Sequence, residues 1–112
     1  MSEDAAAKIA ARLTELWGTS RPTVLERMKL LRSACDALAE NPAQMEARAT
    51  GREAAQKLSG VLGVFGLPQG SEIAASVEHL LTSTEALTAN DLAELRRQIA
   101  ELDAVIAAKP AG

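Results

Sequence analysis

Residues 24–38 read VLERMKLLRSACDAL, and within them Val24, Met28, Leu31, Cys35 and Leu38 recur at intervals of four, three, four and three. That alternation keeps one apolar stripe on the same side of an α-helix for four turns, so it predicts a helix packed against a neighbouring helix. Working outward, Ile9, Leu13 and Leu16 give the same spacing to a segment from about Glu3 to Trp17. Gly18-Thr19-Ser20 interrupts it, and Pro22 suits the first position of a new helix. In the other direction Asn41-Pro42 closes the second helix and opens a third. Asn41 is placed to cap it, and Gln44 to reach back in a capping box.

The third helix is expected to run to about Phe65, with Ala54, Leu58, Val61 and Phe65 inward, before a turn at Gly66-Leu67-Pro68-Gln69-Gly70. Ile73, Val77, Leu80 and Thr84 line a fourth helix. Leu92, Leu95, Ile99, Leu102 and Ile106 line a fifth that begins near Thr88 or Asn90. Lys109-Pro110-Ala111-Gly112 reads as a frayed tail. No segment alternates with the period of two that a half-buried strand requires. Short connections between amphipathic helices force antiparallel neighbours. The expected fold is therefore all-α, an antiparallel up-down four-helix bundle with an additional N-terminal helix, in a single domain spanning residues 1–112.

Composition agrees with this architecture. The chain has 112 residues, 47% of them hydrophobic but only 2% aromatic, a mixture that favours helix over sheet. A formal net charge of -3 with scattered signs gives no basic face for nucleic acid. The longest uncharged stretch, Leu58–Ser71, contains four Gly and a Pro and cannot span a bilayer. Met1-Ser2-Glu3-Asp4 is acidic, unlike the start of a signal peptide, so a cytoplasmic protein is expected. The single cysteine, Cys35, excludes an internal disulfide and falls on the core stripe as a small buried hydrophobe. With one histidine there is no His-rich metal site and no hydrolytic triad, and no Gly-rich loop follows a strand. Neither cofactor nor metal nor enzyme activity is expected.

The third helix carries a feature that packing alone does not require. Gly60 and Gly63 lie in its interior, each costing about 1 kcal/mol relative to Ala. At 3.6 residues per turn Arg52, Gln56, Ser59, Gly60 and Gly63 share the face opposite Ala54, Leu58, Val61 and Phe65. Two explanations fit the spacing. The glycines permit a tight crossing inside the bundle, or they clear the surface around Gln56 so that another molecule can come close.

The run Gln56-Lys57-Leu58-Ser59-Gly60-Val61-Leu62-Gly63-Val64-Phe65-Gly66-Leu67-Pro68, flanked by Ala54-Ala55 and by Ser71-Glu72-Ile73-Ala74, resembles the signature of histidine-containing phosphotransfer (HPt) domains. In that family a His is followed by a small residue and a Gly four positions on, then by a small-aromatic-Gly ending. The similarity is close over residues 43–81. It implies a four-helix bundle that passes a phosphoryl group between a solvent-facing His and the Asp of a response-regulator receiver domain. The expected partners are therefore a receiver and a sensor histidine kinase, met by a monomer.

Gln56 stands where the family keeps its phosphorylated His, and Ser59 where many members carry a second Lys. A carboxamide nitrogen has its lone pair delocalised into the carbonyl, so Gln56 donates and accepts hydrogen bonds but does not hold a phosphoryl group. The resemblance thus implies a degenerate module, with Arg52, Gln56, Lys57, Ser59, Gly60 and Gly63 as a partner-docking face. His79 shares a polar face with Glu72, Ser76 and Ser83 and reads as a solvated side chain. Trp17 is expected to cover an end of the bundle. The rival is a helical adaptor that pairs with another helix or with itself through an apolar patch and has no phosphorelay role.

Overall fold

A computed structural model describes residues 3–83 and 85–110. It contains four helices, α1 (Glu3–Glu40), α2 (Met45–Val64), α3 (Pro68–Thr82) and α4 (Ala89–Ala108), and no strand among the described residues. Each helix packs on the one before it and α4 returns to α1, closing an antiparallel up-down bundle. The core stripe of residues 24–38 lies inside as expected, and Leu58, Leu62, Val77, Leu81, Leu95, Leu102 and Ile106 meet it from the other three helices.

The two N-terminal segments are one helix of 38 residues, with Pro22 inside it. A proline in a helix interior removes a hydrogen bond, crowds the carbonyl four residues back and costs about 3 kcal/mol. Here Trp17 and Val24, on either side of Pro22, are both buried in the same core. Burying two such side chains contributes about 1.5–3 kcal/mol each, enough to hold the helix through the proline. Thr14 and Thr19, the second within the expected interruption, turn their hydroxyls back to the carbonyls of Ala10 (3.0 Å) and Glu15 (3.2 Å).

The expectation that Ile9, Leu13 and Leu16 lie against the bundle is not met. All three are exposed, the buried core begins at Trp17, and the first half of α1 overhangs the bundle. At about 1.5 Å per residue so long a helix accounts for the 53 Å long axis of the molecule.

One turn is built differently from its sequence reading, while α4 starts where a helix was expected to begin. The Asn41–Gln44 capping box does not form. Asn41 Oδ1 accepts the Ala43 N–H (3.2 Å) and the Asn41 carbonyl accepts the Gln44 N–H (3.0 Å), so the cap residue is spent on a turn over Pro42. α2 then starts at Met45 with no side-chain cap. At the α4 start, Thr88 and Asp91 do make a capping box, each side chain accepting the other's backbone N–H (3.1 and 2.9 Å). Thr84, placed on the fourth stripe by its spacing, lies outside the described residues.

Arg48 was not singled out by any pattern, yet it is 96% buried, being 4% exposed. Its guanidinium donates to the Ser83 carbonyl and, at 3.2 Å, to the Pro42 carbonyl, so one α2 side chain fastens both loops at that end. At the opposite end Trp17 stacks at a tilt on Phe65 (5.3 Å between ring centroids) and donates from Nε1 to the Pro110 carbonyl (3.0 Å), with Lys109 Nζ over its ring. Trp17 does cover an end of the bundle. Lys109 and Pro110 are tied down by it rather than frayed, and Ala111 and Gly112 lie outside the described residues.

The α1–α4 seam is the thinly packed one. Arg32–Asp103 (2.8 Å) and Arg96–Asp36 (3.4 Å) bridge it across a cavity of about 210 Å³ whose wall includes Cys35. No helix among the described residues is long and apolar enough to cross a membrane.

Candidate functional site

The face of α2 singled out by sequence is mostly turned to solvent. Arg52, Gln56, Lys57, Gly60 and Gly63 are exposed, while Ala54, Ala55, Leu58 and Leu62 are buried beneath them. Val61, expected fully inward, is only half-buried at the margin of the core.

The glycines separate into two kinds. A Cβ built on Gly60 would meet nothing within 4 Å, and one on Gly63 would make ordinary contact with Ser71 Oγ at 3.6 Å. Tight helix crossing therefore does not explain Gly60. The close approaches occur instead at Gly51, where a Cβ would stand 3.0 Å from Leu81 and 3.1 Å from Ala34, and at Gly70, 3.2 Å from both Leu62 and Val105. Gly70 accordingly lies inside α3 and not in a turn.

α2 ends sharply just past Gly63. Gly66, at φ 73°, donates its N–H to Gly63 O (3.3 Å), and Leu67 donates to Leu62 O (2.9 Å), the paired bonds of a Schellman motif. Pro68 then opens α3 at a position where its missing N–H costs nothing. This turn brings the N-terminus of α3 back along α2, and Ser71 meets Ser59. Ser59 is thus half-buried and bonded into α3, which removes it from the open part of the face.

Lys57 Nζ lies 2.9 Å from Glu53 Oε1, both exposed. The hydrogen bond from Lys57, with its charge, holds the Glu53 carboxyl below the usual carboxylate range. Lys57 is thus matched locally, whereas Arg52 has no ion-pair partner among the described residues. The face offers an amide, a guanidinium and bare backbone around Gly60, and no nucleophilic side chain at its centre.

The remaining candidates stay apart from chemistry. His79 is exposed in the last turn of α3, and Cys35 is buried, with desolvation pushing its thiol pKa up. Among the described residues no group of His, Cys, Asp or Glu could hold a metal ion.

Comparison with known proteins bears on this face. A family model described as the Hpt domain matches residues 4–105. Protein RcaC of Microchaete diplosiphon is 31% identical over 84 residues, which cover 75% of this chain and 13% of that protein's length. No solved structure matches.

Proposed function

The chain belongs to the Hpt domain family, and on that premise we propose that it docks a response-regulator receiver domain through the open face of α2 without itself accepting phosphate. Hpt domains are phosphotransfer modules of phosphorelays rather than enzymes, and they interact with response regulators and kinases. In this reading residues 1–112 act as one cytoplasmic unit.

The observation that carries the reading is the exposure of Gln56 on α2 with open space one turn on, above Gly60. Approach of a partner's backbone is unobstructed there, and Arg52 supplies a free cation for an acidic receiver surface. At the centre, however, stands an amide. Phosphoryl transfer needs an available nitrogen lone pair, which neutral imidazole has and a carboxamide delocalises into its carbonyl, so the contact is one of binding or competition.

The test pairs binding with transfer. Purified protein should retain a cognate receiver and take no stable label from its phosphorylated form. Gly60→Arg should abolish retention while the bundle stays folded, because that position faces open space. Gln56→His should create acceptance. Label on the unaltered protein would overturn the loss of acceptance, and retention unchanged by Gly60→Arg would overturn the docking face.

A further inference from the structure

The overhang of α1 is not a random exposure of apolar residues. Ile9, Leu13 and Leu16 are 49%, 38% and 36% exposed, and Leu30, well inside the bundled half of α1, is 44% exposed. Ile9, Leu13, Leu16, Ser20, Thr23, Arg27 and Leu30 are spaced four, three, four, three, four and three apart, which draws one left-handed line along the helix. It is a different line from the buried stripe of Val24, Met28 and Leu31. Where it reaches the bundle it enters a groove of about 280 Å³ between α1 and α2, walled by Thr23, Arg27 and Leu30 on one side and Thr50 and Ala54 on the other. An unpartnered helix therefore ends where an unfilled groove begins, on the same line.

We propose that this line is the interface of a homodimer in which the α1 helices of two copies pair antiparallel, each overhang lying in the α1–α2 groove of the other. The charges select the occupant and its direction. Arg12 and Glu26 both flank the line, one residue ahead of Leu13 and Arg27, and Glu26 also lines the groove. Among the described residues the ion-pair partner of Arg12 is the exposed Glu15, at 3.2 Å.

In the antiparallel register that sets Leu13 opposite Thr23 of the second copy, Leu16 falls opposite Ser20, Ile9 opposite the stem of Arg27, and Ala6 opposite Leu30. The same register brings Arg12 beside Glu26 of the second copy, and the twofold axis repeats that pair. A parallel pair has no such exchange, because the residue facing Arg12 would be Trp17, which is already buried. This departs from the monomer expected of the sequence. The groove meets the receiver-docking face at Lys57, which lines both, but Gln56, Gly60 and Gly63 lie outside it.

Sedimentation equilibrium on the full chain tests it. The protein should become dimeric as its concentration rises to roughly 0.5 mM, and Leu13→Glu should weaken the dimer by at least about 100-fold. Since Leu13 lies outside the core, circular dichroism should show the bundle intact. Arg12→Glu should weaken it by about 3- to 10-fold, and Arg12→Glu with Glu26→Arg should restore it. Cysteines placed at both 12 and 26 should cross-link the two chains, and a cysteine at 12 alone should not. A monomer at every concentration, or a dimer indifferent to Leu13→Glu, would overturn the interface. Failure of the charge exchange to restore, or cross-linking through position 12 alone, would overturn its direction. A monomer that still retains a receiver would leave the docking proposal standing, so the two ideas fail separately.

Discussion

Ser59 and Ser71 hold each other's backbone. Ser71 Oγ donates to the Ser59 carbonyl (2.7 Å), Ser59 Oγ donates to the Ser71 carbonyl (3.1 Å), and the two hydroxyls stand 3.4 Å apart. The exchange pins the start of α3 to α2 directly behind Gly60 and Gly63. It sets how far that surface can shift when something binds.

Either Ser59→Ala or Ser71→Ala should lower stability by about 1 kcal/mol, the net value of a typical hydrogen bond. Because the two side chains act together, the double variant should lose less than the sum, with a coupling of about 0.5–1 kcal/mol. Urea titration of the four proteins reads this directly. Strict additivity would show that the serines do not cooperate.

Two glycines of the same helix should respond oppositely. Gly60→Ala should raise stability by about 0.5–1 kcal/mol, because alanine is the better helix former and its methyl meets nothing. Gly51→Val should lower it by about 1–3 kcal/mol, since even the Cβ crowds Leu81 and Ala34. Thermal melts of both variants decide the matter. Equal responses would mean the two sites are not as different as their surroundings make them.

Arg48→Met keeps most of the side chain's volume and removes its donors. The carbonyls of Ser83 and Pro42 would then lack their partner at one buried end. A loss of about 2–4 kcal/mol is expected, with faster amide exchange in the loops around both residues. A near-neutral variant would show that water serves those carbonyls equally well.

Glu94 is held down to about 2 by hydrogen bonds from Arg97 and Gln98 and by the charge of Arg97. A carboxyl depressed in the folded state favours folding above its ordinary value near 4.5 and loses that contribution as pH falls through the folded value. The Glu94 side chain is 40% exposed, so added salt should screen the effect. A carboxyl titration by NMR should find a midpoint well under 4.5 at low salt, moving up in about 1 M salt. Glu94→Gln should flatten the acid limb of the stability curve between those two values. A midpoint at the ordinary value would remove the Glu94–Arg97 contact from the account.

The bundle was legible because the apolar spacing of each helix is regular and its turns are marked, as at Thr88 and Gly66. What escaped the sequence was decided by contacts distant along the chain. Pro22 reads as a helix start, yet the burial of Trp17 and Val24 carries α1 through it. The capping box read at Asn41 and Gln44 fails for a local reason instead, since Asn41 is occupied by its own turn.

Within the site, the run from Gln56 to Phe65 is local and could be read in order. Gly51 and Gly60, by contrast, look alike in a string of letters. Only their neighbours show that one is a close crossing and the other an opening. Nothing in the sequence announces Arg48, because a basic residue on a helix is usually solvated. Ser59 looked outward by helical phase, and only the course of α3 shows that it points at Ser71.

A ring of helices wound in chain order is complete only when its last member reaches its first, and here that joint is fastened by Arg32–Asp103 and Arg96–Asp36 across a hollow. Exposed pairs of this kind contribute about 0–1 kcal/mol and fade as ionic strength rises. Parting of α4 from α1 is therefore expected before α2 parts from α3, with brine loosening this clasp while the greased interior stays closed.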